Sequence, residues 1–153
     1  MSSAILWDAR PTAQTIIDTD GALKNLAAAA IAVSAEVENG TALKRWADFM
    51  LYIHDFAAAP AAGGRFECHI CYQMDAVYGD GEDGDLADPN LSGNTLVGTF
   101  PVNPADEDQY IPLVGVPIGP HDFKVCIKNS TSQAIANSDG SFLKIYMYSE
   151  ESQ

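Results

Sequence analysis

Cys68 and Cys71 are the first residues in this sequence whose type and spacing could do chemistry. A Cys-x-x-Cys pair holds zinc or exchanges a disulfide when a turn brings both sulfurs together. Here the pair sits inside an alternating segment, residues 65–77. Phe66, Cys68, Ile70, Tyr72 and Met74 fall on one face, and Glu67, His69, Cys71, Gln73 and Asp75 on the other. On a strand, residues i and i+3 point to opposite faces, roughly 10 Å apart at the usual rise, and cannot share one metal. His54, His121 and Cys126 stand at no ligand spacing to the pair. Cys68 is therefore expected in a core and Cys71 on the outer face, both structural.

The second candidate is acidic. Asp80, Glu82, Asp83 and Asp85 lie in a Gly/Asp-rich loop, residues 79–94, and carboxylates gathered on a folded-back loop are calcium ligands. The EF-hand spacing fails: counted from Asp80, position 5 is Gly84, position 6 is Asp85 and position 12 is Leu91. These four residues remain candidates for a cation site of another kind, against a solvated loop or one that docks on a basic surface. Nucleophilic catalysis finds no G-x-S-x-G elbow. His54-Asp55 are adjacent on a strand and face opposite ways, and His121-Asp122 follow a proline turn. No enzyme and no cofactor are expected. Aromatic residues form a third candidate: Trp46, Phe49, Tyr52 and Phe56 share one segment, and Phe142, Tyr146 and Tyr148 share a face of another. They read as core, as a flat platform for sugar stacking, or as a subunit interface.

The elements that would position these residues are almost all strands. Residues 46–56 carry Phe49, Leu51 and Ile53 on one face and Met50, Tyr52 and His54 on the other. Residues 95–102 and 109–116 also read as strands, and 123–128 and 141–149 alternate similarly; in the last Leu143, Ile145 and Met147 oppose Phe142, Lys144, Tyr146 and Tyr148. Residues 22–38 begin with an Ala run that favours helix and end in period-2 alternation; they are expected to be strand, with a helical turn possible at 22–28. In that alternation Ile31, Val33, Ala35 and Val37 share a face. Seven or eight strands with turn signals between them, and no helical units, specify an all-β fold, an antiparallel β-sandwich that is jelly-roll-like. Residues 1–20 read as an N-terminal extended arm, and 21–153 as one sandwich domain. In the arm, Ile5, Leu6, Trp7, Ile16 and Ile17 are the candidate partner-binding residues, because an apolar arm can add a strand to a neighbour's sheet. The arm could equally add an edge strand to its own domain.

The chain of 153 residues holds 8 Lys and Arg against 21 Asp and Glu, a net charge of -13. That balance opposes binding to nucleic acid, which needs clustered cations, and to an anionic membrane surface. With 47% hydrophobic and only 19% charged residues, the composition is globular. The first residues, MSSAILWDAR, lack the basic and long apolar regions of a secretory signal, and three cysteines are an odd count. Both fit synthesis in a reducing cytoplasm.

Residues 25–76 resemble a group of small structural proteins from tailed-bacteriophage virions. The resemblance rests on an Ala/Ser-rich strand ending in an acidic-Asn turn, the strand Trp46-Ala-Asp-Phe49, and the Ala/Pro/Gly connection at 57–64. It continues through Pro117-Ile-Gly-Pro-His-Asp-Phe-Lys-Val125, Lys128-Asn-Ser-Thr-Ser-Gln-Ala134 and Leu143-Lys-Ile-Tyr-Met-Tyr148, and so covers residues 23–150. The Cys-His-Ile-Cys strand departs from the plain aliphatics of the group. The resemblance implies a jelly-roll-like sandwich with no catalytic residues to carry over. It further implies a capsid decoration protein that binds the major capsid protein or another virion protein on the capsid exterior, as a homo-oligomer, with a trimer favoured. A tail- or fibre-associated carbohydrate-binding module is the alternative.

Overall fold

Alternating side chains produce strands throughout. The computed structural model describes residues 5–7, 12–75, 77–78, 95–105 and 107–152, with 5–7, 77 and 151–152 as backbone. The strands are β1 (Ile5–Trp7), β2 (Gln14–Ile17), β3 (Ile31–Val33), β4 (Trp46–Ile53), β5 (Arg65–Met74), β6 (Val77–Tyr78), β7 (Leu96–Pro101), β8 (Gln109–Pro117), β9 (Phe123–Asn129), β10 (Phe142–Tyr148) and β11 (Glu150–Ser152). No α-helix occurs among the described residues.

One sheet has the order β2-β10-β4-β8 and the other β3-β9-β5-β7, with β6 paired to the end of β5; every pairing is antiparallel. Leave aside β6 and the small β1–β11 ribbon, and number the remaining strands in chain order. The sheets then read 1-8-3-6 and 2-7-4-5, the order of a jelly roll. Each connection passes from one sheet to the other except the one from β5 to β7. The fold is the expected β-sandwich.

The core lies between the sheets. Phe49, Leu51 and Ile53 of β4, with Leu143 and Ile145 of β10, meet Phe66, Cys68 and Ile70 of β5 and Phe123, Val125 and Ile127 of β9. The period-2 faces read from the sequence for β4, β5 and β10 are the faces observed.

Two segments depart from expectation. Residues 22–38 form only the three-residue β3 and an isolated bridge from Val37 to Phe123. Before β3 the chain makes turns held from outside: Asn25 N donates to Ala136 O at 3.3 Å, and Leu26 O accepts from Ile135 N at 3.1 Å. After β3 the Ser34 hydroxyl accepts from Val125 N at 2.9 Å and donates to Ala35 O at 2.6 Å, which interrupts the ladder. The phase therefore flips. Ile31 packs on the outer side of the second sheet, whereas Val37 is in the main core.

The second is the arm, where residues 14–17 take the other alternative, an edge strand on their own domain, in place of a partner-binding one. β2 is the edge strand of the first sheet, and Ile16 and Ile17 are 4% and 3% exposed in the main core. Ile16 O also accepts from Ala35 N at 3.1 Å. Both side chains are thus core residues of this chain, and a partner would meet only the backbone of β2 and its exposed Gln14 and Thr15. β1 pairs with β11, so the backbone of Ile5, Leu6 and Trp7 lies against residues 150–152 of the same chain.

Candidate interaction surface

Alternation that sends one set of side chains inward must send the other out. On the first sheet the outward set is mostly apolar and aromatic. β4 presents Trp46, Asp48, Met50 and Tyr52; β10 presents Phe142, Lys144, Tyr146 and Tyr148; β8 presents Tyr110, Pro112, Val114 and Pro117. The register aligns them in rows: Tyr110, Tyr52 and Phe142; then Pro112, Met50 and Lys144; then Asp48 with Tyr146; then Pro117, Trp46 and Tyr148. Tyr110 and Val114 are 64% and 67% exposed. A sheet face of this composition is ordinarily covered by another layer or by a partner.

Polar groups anchor both ends of the face. Tyr52 stacks on Tyr110 with ring centroids 4.3 Å apart and leans on Phe142 at 5.0 Å. Its hydroxyl donates to Asp108 Oδ2 at 2.8 Å, while His54 Nδ1 lies 2.9 Å from Asp108 Oδ1. The bond to Asp108 and burial together push the Tyr52 phenol up to about 12. Asp48 lies where β8 bulges: Phe49 pairs Leu113 but Ala47 pairs Val116. Gly115 absorbs the bulge at φ +68°, a conformation that suits glycine, and its N–H donates to Asp48 Oδ1 at 2.8 Å. The Tyr148 hydroxyl donates to the same oxygen at 3.1 Å. Between them opens a cleft of about 220 Å³ lined by Asp48, Met50, Pro112, Val114, Tyr146 and Tyr148.

The cysteines behave otherwise. Cys68 is in the main core, and burial pushes its thiol well up. Cys71 faces the opposite way, as the strand geometry requires. It is 1% exposed, however, packed with Ile31 and Cys126, with its sulfur 3.6 Å from that of Cys126. The expected outer face at this point is thus a second small core, and the three cysteines are thiols. His69 shares that side, 3% exposed, with Nδ1 3.0 Å from Thr95 Oγ1. Among the described residues, no three His, Cys, Asp or Glu side chains are placed to hold a metal ion. Asp80, Glu82, Asp83 and Asp85 lie outside the described residues, as do the side chains of Ile5, Leu6 and Trp7.

The sequence pointed to Tyr52, Tyr146 and Tyr148 but passed over Asp48 and Asp108. Asp48 carried a signal, as a lone acid at an outward position of an otherwise apolar strand. Asp108 carried none, because only the pairing of β4 with β8, 56 residues apart at the Tyr52–Asp108 bond, brings it to the aromatic row. No protein-family model matches the chain, and no curated protein matches it in sequence.

Proposed function

We propose that this chain is a non-enzymatic structural protein of a tailed-phage virion, a capsid decoration protein that binds and bridges major capsid protein subunits. The outward face of the β2-β10-β4-β8 sheet, on which Tyr110 and Val114 are exposed, carries the proposal. It sets aromatic residues among apolar ones, the composition of a protein interface. The virion assignment draws on the segment resemblance over residues 23–150, and a jelly roll suits it. A net charge of -13 keeps such a protein dispersed before assembly. A homo-oligomer, with a trimer favoured, would let one copy reach neighbouring capsid subunits.

A second reading is favoured by the exposed ring of Tyr110: a tail- or fibre-associated module that stacks a sugar ring on this side chain. Light scattering on the eluting protein, and co-sedimentation with expanded and precursor phage heads, test the first reading. An oligomer that sediments with expanded heads alone is expected. A monomer with no affinity for either head overturns it, and binding on a glycan array that is lost in Tyr110→Ala would put the second in its place.

A further inference from the structure

We propose that the Asp48 cleft receives a basic side chain, an arginine or a lysine, from the protein onto which this sheet face docks. The inference names the chemistry of the partner and rests on the docking reading above.

Three observations converge on it. The first is shape. Met50, Pro112 and Val114 make apolar walls that fit the aliphatic stem of a long cationic side chain, and the Tyr146 and Tyr148 rings border the place where its head would lie. The second is the carboxylate. Gly115 N–H and the Tyr148 hydroxyl both hold Oδ1, which fixes the group, while Oδ2 accepts no hydrogen bond among the described residues. A fixed carboxylate with an open oxygen is a preorganised acceptor for a guanidinium or ammonium. The third is charge. Lys144, the cation on the outward face of β10, does not turn to Asp48; its Nζ lies 4.7 Å over the Phe142 ring. A second copy of the chain brings 21 acidic residues and only 8 basic ones, so it repels where a basic partner attracts. The cleft thus selects a different protein with a basic anchor.

The test uses the full chain and three small probes: N-acetyl-argininamide, the neutral N-acetyl-norleucinamide and methyl glucoside. The Gly115 amide, bonded to Asp48, reports occupancy in ¹H–¹⁵N spectra. Saturable Gly115 shifts with the arginine probe are expected, weakened about fivefold or more in Asp48→Asn, with no saturation by the other two. In co-sedimentation with expanded heads, Asp48→Asn and Val114→Arg are each expected to lose about tenfold in affinity. Asn can still accept from Gly115, and Val114 is exposed, so Val114→Arg decides if Asp48→Asn fails to fold. No response to the arginine probe, or equal response in Asp48→Asn, overturns the cleft proposal. Saturation by methyl glucoside alone replaces it with a sugar site. Heads that bind wild type and both variants equally remove the cleft proposal but leave the docking reading. Heads that bind none of them remove the docking reading, and the probe titration still judges the cleft.

Discussion

Asn129 shows how this fold handles a buried polar residue. It is fully buried, and its side chain is satisfied on every side: Nδ2 donates to Leu26 O at 3.1 Å and Gln133 O at 2.9 Å, while Oδ1 accepts from Thr131 N at 3.0 Å and Thr131 Oγ1 at 2.7 Å. It ties the turn before β3 to the loop after β9. Asn129→Ala leaves those groups unpaired and is expected to lower unfolding free energy in urea by about 2–3 kcal/mol. A loss under about 1 kcal/mol would mean that the freed groups find water. His69 carries a pH signature. Burial holds its imidazole below the ordinary 6.5, against the opposing pull of Glu67 3.7 Å away. The unfolded chain therefore takes up the proton first, so this contribution to stability is complete above pH 6.5 and is lost as pH falls below it. Glu67 acts lower on the scale. Burial works to raise its pKa, but the Ser130 hydroxyl, Lys128 and Arg65 overcome that and hold the carboxyl below the ordinary 4.5. Its contribution is present above pH 4.5 and falls away as pH drops through the folded-state value. Urea midpoints measured against pH should decline in two limbs, and His69→Gln should flatten the upper one, with a smaller change in the lower because His69 also helps hold the Glu67 carboxyl down.

At the scale of the element, alternation was legible wherever both neighbours of a strand were themselves strands. β4, β5, β9 and β10 are such strands, and their inward residues were readable one by one. Residues 22–38 were not legible, because their conformation is set from outside. Asn25 and Leu26 are bonded to the 135–136 segment, and the Ser34 hydroxyl takes a place in the ladder that a backbone group would otherwise fill. Local pattern carries no trace of partners a hundred residues away. The same holds for β2, for which the sequence left a free arm and an edge strand equally open because nothing nearby in sequence covers Ile16 and Ile17. Deleting residues 1–11 removes β1, which pairs with β11 and with neither large sheet. A ribbon of two three-residue strands adds little stability by itself, so this deletion should change the thermal midpoint by only a few degrees. Ile17→Ala, in contrast, opens a cavity in the core and should cost about 2–4 kcal/mol. A large loss on deletion together with a small one at Ile17 would reverse the roles assigned to the two strands.

For the whole molecule, the two outer faces are unequal. That of the second sheet carries its own small core around Cys71 and Cys126, whereas that of the first leaves Tyr110 and Val114 standing in solvent. Tyr110→Lys combined with Val114→Lys should therefore leave the thermal midpoint within a few degrees of wild type, since neither side chain supports the main core. The same pair should abolish sedimentation with expanded heads. An unfolded variant would show that the face is structural, and unchanged binding would move the docking surface elsewhere. What the sequence determined by itself was the class of the fold, the inward set of the long strands and the divergence of Cys68 from Cys71, because each follows from a two-residue period acting within one strand. Tertiary structure alone decided that Cys71 meets Cys126, that Asp108 reaches Tyr52, and that Asp48 stands beside Gly115 at a cleft. Those contacts depend on which strands become neighbours and where a bulge shifts their register, and both follow from packing the two sheets together.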